Sequence, residues 1–193
     1  QVSLTELGSI KINKEERNKM YKTIPRSSVI GFLIGVLPGA GATIASFLAY
    51  GMERNIVSDE EKEKFGKGSV NGLSAPETAN NAACSGSFVP MLTLGIPGSG
   101  TTAVMLGALL GFGVQPGPRL YMTNPEIFWS IIMSMYIGMV ILLILNLPLI
   151  PYIARILAVP KNYLIPLILF FSITGIYVMS FNNFDIYLMI GIA

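Results

Sequence analysis

The chain has 193 residues, of which 52% are hydrophobic and only 12% are charged, against about a quarter charged in a typical soluble domain. From Gly68 to Ala193 only six residues are charged, a shortage that is typical of a lipid-embedded segment. The chain has no histidine and a single cysteine, which excludes His-dependent catalysis, an internal disulfide and a Cys-based zinc cluster. The net charge of +2, with most basic residues in two short stretches, gives no support for nucleic-acid binding.

Residues 1–26 are polar and basic, and the positive-inside bias predicts that they form a cytoplasmic leader. Residues 27–193 are predicted to form a membrane transport domain that contains a polar loop over residues 51–72. The chain starts with Gln1 and ends in an apolar run that begins near Ile186. We therefore expect it to be a fragment of a larger protein.

The first apolar segment, Ser27–Tyr50, is long enough to span a bilayer as a helix. Pro38, Gly39 and Gly41 interrupt its middle, where proline removes a backbone donor and glycine permits positive φ. The polar loop 51–72 carries Lys and Arg residues that favour a cytoplasmic position for the loop as well. In that topology the segment enters and leaves the membrane on one side, as a re-entrant hairpin.

Two local signals follow in the polar loop and in the next apolar segment. Ser58 and Glu61 have the spacing of a capping box, which predicts a short surface helix over residues 59–65. The apolar segment 74–112 contains Pro90, which is expected to kink it.

The last third of the chain predicts plainer helices. Residues 125–147 form a membrane-spanning candidate that begins after Asn124, a favourable N-cap, and is expected to stop at Pro148 and Pro151. A second plain span covers residues 163–180. The predicted fold class is therefore an all-α, polytopic membrane protein with discontinuous helices broken at Pro-Gly turns, or with re-entrant hairpins.

An internal repeat marks both broken segments. Residues 37–43, Leu-Pro-Gly-Ala-Gly-Ala-Thr, match residues 96–102, Ile-Pro-Gly-Ser-Gly-Thr-Thr, at four of seven positions. The half-helix after each break presents free N–H groups and the positive end of its dipole, which can bind an anion without a buried cation. Nearby hydroxyls add donors, or oxygen ligands for Na⁺. The candidate substrate-binding residues are Pro38, Gly39, Gly41, Thr43, Pro97, Gly98, Ser99, Thr101 and Thr102.

An alternative is that these prolines and glycines only kink helices and allow close packing, since small residues let membrane helices approach each other. Two matched breaks with clustered hydroxyls favour a binding role, because paired interrupted segments are the best sequence indication of a transporter site.

A second set of candidates lies at Glu77, Asn80 and Asn81, which are spaced to share one helical face with Cys84. A carboxylate with amide oxygens suits coordination of an ion or substrate, or proton uptake at Glu77. The alternative is that Ser74 and Glu77 form a capping box that starts the helix at the membrane surface. The two interpretations are compatible.

These motifs resemble the large membrane subunit (TctA) of the tripartite tricarboxylate transporters. The resemblance rests on residues 31–50, which contain Leu-Pro-Gly-Ala-Gly-Ala-Thr, on Ala75-Pro-Glu-Thr-Ala-Asn-Asn-Ala82, and on Leu92-Thr-Leu-Gly-Ile-Pro-Gly-Ser99. It covers nearly the whole chain, which looks like the second half of that subunit. The recurring family residues carry no assigned ligand roles, so the roles proposed above rest on the physical argument.

The resemblance implies a cation-coupled permease that imports tricarboxylates or related carboxylates, with Na⁺ or H⁺ as the coupling ion and no other cofactor. It implies a small membrane subunit and a periplasmic substrate-binding protein as partners, in a bacterial inner membrane that the protein crosses several times. The alternative function is a channel or pore subunit for small anions. An enzyme is disfavoured, because the sequence has no histidine, no metal cluster and no credible acid–base pair within the bilayer.

Overall fold

A computed structural model describes residues 12–154 and 160–192, and these residues form helices and turns without a strand. The predicted all-α fold class is confirmed. The helices in these ranges are α1 (Lys14–Val36), α2 (Gly41–Ile56), α3 (Asp59–Lys62), α4 (Val70–Gly86), α5 (Phe88–Leu94), α6 (Gly100–Gly111), α7 (Leu120–Thr123), α8 (Pro125–Ala154), α9 (Lys161–Ser180) and α10 (Asn183–Ile192).

The helices belong to two units, one that extends to Ile137 and one that starts at Gly138, so α8 contributes to both. In the second unit, α9 packs against α10. All candidate site residues lie in the first unit, where α1, α2 and α4 pack together as a three-helix core.

Residues at every fourth position form the buried stripe on each of these three helices, and all of them except Glu53 are small or short polar residues. Because such residues keep side chains out of the way, the helix backbones approach each other closely. A Cβ added at Gly31 would lie only 2.6 Å from the Cα of Ala79. The stripes consist of Thr23, Ser27, Gly31 and Gly35 on α1, of Ala45, Ala49 and Glu53 on α2, and of Asn71, Ala75, Ala79 and Ala83 on α4.

Contacts along the stripes fix the directions of the helices. Thr23, in the first half of α1, donates to Glu53, in the last turn of α2, and a short turn at residues 37–40 connects the two helices, so they form an antiparallel hairpin. Gly31 meets Ala79 and Gly35 meets Ala83, so α4 runs parallel to α1. The first apolar segment therefore turns back on itself at residues 37–40, as a hairpin does, rather than continuing as a kinked span.

A second hydrophobic cluster surrounds α5. Met91 and Leu92 of α5 are buried together with Val114 and Leu120, and side chains of α6 and of the first turns of α8 pack around them. The chain between α6 and α7 is tied to α5, because the Gly117 N–H donates to the Leu92 carbonyl at 3.2 Å. This packing holds the second break, residues 96–99, between α5 and α6.

Proline has different effects at different predicted positions. The predicted kink is confirmed at Ser87, between α4 and α5, because Pro90 has no N–H to donate one turn back. The predicted stop of α8 at Pro148 is wrong, since the helix continues through Pro148 and Pro151 to Ala154. Apolar membrane-type helices tolerate proline when the neighbouring turns keep their hydrogen bonds.

Within the described ranges, one helical stretch, Pro125–Ile150, is long and apolar enough to cross a membrane. The apolar stretches Gly100–Gly111, Asn162–Val178 and Asn183–Ile192 are shorter. The predicted start of α8 is confirmed: the helix begins at Pro125, and the Phe128 N–H donates to the Asn124 carbonyl at 3.1 Å.

Candidate functional site

The first break is a tight turn between α1 and α2. Gly39 and Gly41 have φ values of 82° and 69°, in the left-handed region that favours glycine. Helix α2 begins at Gly41, and its N-cap, Ala40, makes no side-chain cap hydrogen bond. The N-terminus of α2 therefore presents backbone N–H groups that no side chain of its N-cap satisfies.

The second break has a different local structure. Helix α6 begins at Gly100, and its N-cap, Ser99, forms a capping box with Thr102. The Thr102 N–H donates to Ser99 Oγ at 3.2 Å, and the Ser99 N–H donates to Thr102 Oγ1 at 2.8 Å. Thr102 is fully buried. The hydroxyls of Ser99 and Thr102 thus serve the cap, whereas Thr101 is exposed, as Thr43 is in α2.

The helices after the two breaks begin at the same position of the motif, and both breaks lie at the same end of the three-helix core. Each helix begins at the second glycine of its Pro-Gly-x-Gly motif. At this end, a Cβ added at Gly86 would lie 3.2 Å from the Cα of Gly35, three residues before Pro38. The next residue, Ser87, meets Gly98, where an added Cβ would lie 2.9 Å from the Ser87 Cβ. Close contacts therefore connect the region of the first break with the second.

The polar residues of α4 share the face opposite its alanine stripe. Glu77, Asn80, Asn81 and Cys84 are all exposed. Asn81 Nδ2 donates to the Glu77 carbonyl at 2.9 Å, and Cys84 Sγ lies 3.7 Å from Asn80 Oδ1. The predicted common face is therefore present, on the side of α4 that the core leaves uncovered.

The capping interpretation of Glu77 is wrong. Helix α4 begins at Val70, and its N-cap is Ser69, whose Oγ accepts from the Gly72 N–H at 3.1 Å. Glu77 lies two turns inside the helix, and Pro76 is accommodated within it. The sequence did not indicate Ser69 as the N-cap, because Ser69 precedes a stretch of small residues with little hydrophobic periodicity.

The opposite end of the core holds a buried polar cluster that the sequence interpretation missed. Glu53 is fully buried, and its Oε1 accepts from Thr23 Oγ1 at 2.8 Å, from Arg26 Nη2 at 2.7 Å and from Asn71 Nδ2 at 3.2 Å. The sequence placed Glu53 in a polar loop, whereas α2 continues to Ile56. One sequence feature did indicate a buried position on α2: Glu53 follows Ala45 and Ala49 at the same four-residue spacing.

Beside this cluster, Glu61 joins the loop to α1. It accepts from Lys19 Nζ at 3.0 Å, from Ser69 Oγ at 3.1 Å and from Lys64 Nζ at 3.3 Å. The predicted capping box with Ser58 is therefore wrong, because the Glu61 carboxylate binds these donors and Ser58 makes no side-chain cap hydrogen bond. Helix α3 is one turn long and does not extend to residue 65 as predicted. The hydrogen bond from Lys19 lowers the pKa of Glu61, and the same bond raises the pKa of Lys19.

These pKa shifts predict how the loop responds to pH. Because the Glu61 pKa is lowered by folding, its stabilising effect is present above the ordinary carboxyl value of 4.5 and is lost as the pH falls through the lowered pKa. The Lys19 contribution is present below 10.5 and is lost as the pH rises through its raised pKa. We expect Glu61→Gln to lower the melting temperature at pH 7, with a difference from wild type that disappears in acid. A constant difference from pH 7 to pH 3 would contradict this assignment.

The fold and the site define an all-helical protein in which two matched Pro-Gly breaks lie at one end of a three-helix core. A family model described as the tripartite tricarboxylate transporter TctA family matches residues 1–193. The chain belongs to this family, which confirms the resemblance inferred from the motifs.

Two relatives from Agrobacterium vitis extend the comparison. One, described as an uncharacterized 52.8 kDa protein in the TAR-I ttuC' 3' region, is 40% identical over 190 residues, which cover 98% of this chain and 38% of the relative. The other, described as an uncharacterized protein in the TAR-II ttuC' 3' region, is 44% identical over 160 residues, which cover 83% of this chain and 65% of the relative. The chain thus spans only part of the length of both. No solved structure matches it significantly.

Proposed function

We propose that this chain belongs to the permease subunit of a cation-coupled transporter that imports tricarboxylates or related carboxylates. The permease crosses a bacterial inner membrane several times and acts with a small membrane subunit and a periplasmic substrate-binding protein. The observation that carries the proposal is the pair of equivalent breaks at one end of the core, each of which starts a helix at the second glycine. Membership of the TctA family supports the same function.

The length of the first hairpin supports a site near the middle of the bilayer. Arg26 bonds to Glu53 at the charged end, and the turn at Leu37 lies eleven residues further along α1. At about 1.5 Å per residue, this distance is roughly 16 Å, about half of a hydrocarbon layer about 30 Å thick. With Arg26 at the membrane surface, both breaks lie near the midplane, where transporter substrates bind.

The breaks have different roles in this proposal. The N-terminus of α2, which has no side-chain cap, binds a substrate carboxylate through its backbone N–H groups, and Thr43 adds a hydroxyl. At α6 the dipole attracts a second carboxylate and Thr101 provides the free hydroxyl, while Ser99 and Thr102 hold the helix start in place. Pro38, Gly39, Gly41, Pro97 and Gly98 shape the turns.

The exposed face of α4 is the proposed place for the coupling ion. Glu77 makes no ion pair with a described residue, and Asn80 and Asn81 lie one turn further along. Glu77 is the one charged residue of α4, and a carboxylate is costly in a membrane unless it binds an ion or a partner group. Na⁺ or H⁺ at Glu77 would remove that cost and link substrate uptake to a gradient.

The test is uptake by the full-length protein with its small membrane subunit in proteoliposomes, supplied with the binding protein. A panel of labelled di- and tricarboxylates is offered with an inward Na⁺ gradient, with a proton gradient and with neither. We expect accumulation above the external concentration with one gradient only, and its loss in Glu77→Gln. A flux that follows the substrate gradient alone would instead indicate a channel, and no carboxylate flux under any condition would contradict the proposal.

A further inference from the structure

A polar cavity of about 390 Å³ opens beside the buried Glu53 cluster, at the charged end of the core. Its wall is built by one face of α1, by the segment between α2 and α3, and by the first turn of α4. The lining residues include Lys19, Lys22, Arg26, Ile56, Val57 and Asn71. The two breaks lie at the other end of the core, and Glu77, Asn80 and Asn81 are not among the lining residues, so the cavity is separate from the proposed transport residues.

The charges of this cavity favour an anion. Lys19, Lys22 and Arg26 come from successive turns of α1, against one carboxylate in the lining, Glu61, which already binds Lys19 and Lys64. Lys22 forms no ion pair with any described residue. Arg26 bonds to Glu53 through Nη2 alone, and its Nε has no acceptor within the described chain.

One residue of the wall, Asn71, has a buried side-chain acceptor that lacks a donor. Asn71 is 5% exposed, and its Nδ2 donates to Thr23 and Glu53, whereas its Oδ1 has no partner among the described residues. A simple inorganic anion such as sulfate offers no donor for this oxygen. A ligand that combines an anionic phosphate with a hydroxyl group would satisfy the cations and Asn71 together.

The surroundings favour a lipid as the source of that phosphate. Along the exposed surface of α1, the cationic side chains give way within two turns to Val29 and Leu33, each 60% exposed. Ile56, in the cavity wall, is also half-exposed. Apolar surface next to a cationic cavity suits acyl chains that continue from a bound headgroup, and basic pockets between membrane helices bind anionic phospholipids.

We propose that this cavity binds the glycerol-phosphate headgroup of an anionic phospholipid, phosphatidylglycerol, at the membrane surface. The phosphate contacts Lys22 and Arg26, and a glycerol hydroxyl donates to Asn71. The inference rests on the proposed membrane placement of this end of the core. It does not depend on transport, because binding is measured in detergent without a gradient.

The test titrates phosphatidylglycerol against the purified full-length protein in detergent, with the shift in melting temperature as the readout. Lys22→Gln is compared with Lys14→Gln, which removes the same charge from the exposed start of α1, outside the cavity. We expect Lys22→Gln to raise the apparent Kd for phosphatidylglycerol about fivefold. The Lys14 variant should behave as wild type.

Two further arms identify the headgroup. Phosphatidylserine has the same net charge, but its headgroup carries an ammonium and a carboxylate instead of hydroxyls, and the cations Lys22 and Arg26 would repel that ammonium. It should therefore bind several-fold more weakly than phosphatidylglycerol, and inorganic phosphate should give little protection. An equal loss of phosphatidylglycerol binding in both lysine variants would mean that the basic surface attracts the lipid in general, and it would overturn the specific site. Equal binding of phosphatidylserine would overturn the glycerol assignment, and full protection by inorganic phosphate would overturn the lipid. If the lipid data hold while no carboxylate is transported, the proposed function fails and this site stands.

Discussion

Arg26→Met is expected to destabilise the protein by about 3–5 kcal/mol, because it leaves the charge of Glu53 buried without its counter-ion. Glu53 is fully buried in the wild-type structure, and Arg26 is its one charged partner among the described residues. Thr23 and Asn71 would still donate to the carboxylate, but neutral donors do not replace a guanidinium. The measurement is chemical or thermal unfolding of the full-length protein in detergent.

A double variant distinguishes charge burial from loss of packing. Arg26→Met with Glu53→Met removes both charges and keeps side chains of similar size, so most of the lost stability should return. A double variant as unstable as the sum of the two single variants would contradict the interpretation, because it would mean that the two residues act independently.

Gly31→Ala is expected to force α1 and α4 apart and to cost about 1–3 kcal/mol or more, the range for overpacked cores. The added Cβ would lie 2.6 Å from the Cα and 2.8 Å from the carbonyl carbon of Ala79. Since these are backbone atoms, no change of rotamer can relieve the clash. Combining the variant with Ala79→Gly should therefore give no rescue.

Gly51→Ala is the matched control for Gly31→Ala. Gly51 lies in α2 with nothing within 4 Å of an added Cβ and without a positive φ. The same substitution there should leave the melting temperature unchanged or raise it, because alanine is the better helix former by about 1 kcal/mol. Equal melting temperatures for the two variants would contradict the close packing of α1 and α4.

Residues with a strong local signal were predicted well from the sequence. Pro38 and Pro97, each at the start of a Pro-Gly-x-Gly motif, located both breaks and the starts of the helices after them. Pro125 located the start of α8. In each case proline and glycine restrict the backbone directly, so the signal does not depend on distant parts of the chain.

Residues whose role depends on tertiary packing were predicted poorly. Glu53 looked like a loop residue because its partners, Thr23 and Asn71, are 30 and 18 positions away in the sequence. The register that joins Gly31 to Ala79 is equally non-local. Ser99 and Thr102 matched the hydroxyl pattern of a site, and only the structure shows that their hydroxyls cap α6.

The central claim is that the helix starts after the breaks bind substrate carboxylates, and Gly100→Leu tests it most directly. An added Cβ at Gly100 meets nothing within 4 Å and its φ is not positive, so the substitution should leave the fold intact. Gly107→Leu, two turns along α6 and equally free of neighbours, is the matched control. Gly100 is a better position for this test than Gly98 or Gly39, because Gly98 contacts Ser87 and Gly39 has a positive φ, so substitutions there would also disturb the fold.

Initial rates of carboxylate uptake by the two variants are measured in proteoliposomes at equal amounts of inserted protein. Losing a helix-dipole contact of about 1–2 kcal/mol predicts an uptake efficiency roughly 5–30-fold below wild type for Gly100→Leu. Gly107→Leu should transport normally. Normal uptake by Gly100→Leu, or an equal loss in both variants, would contradict the claim that substrate binds at the start of α6.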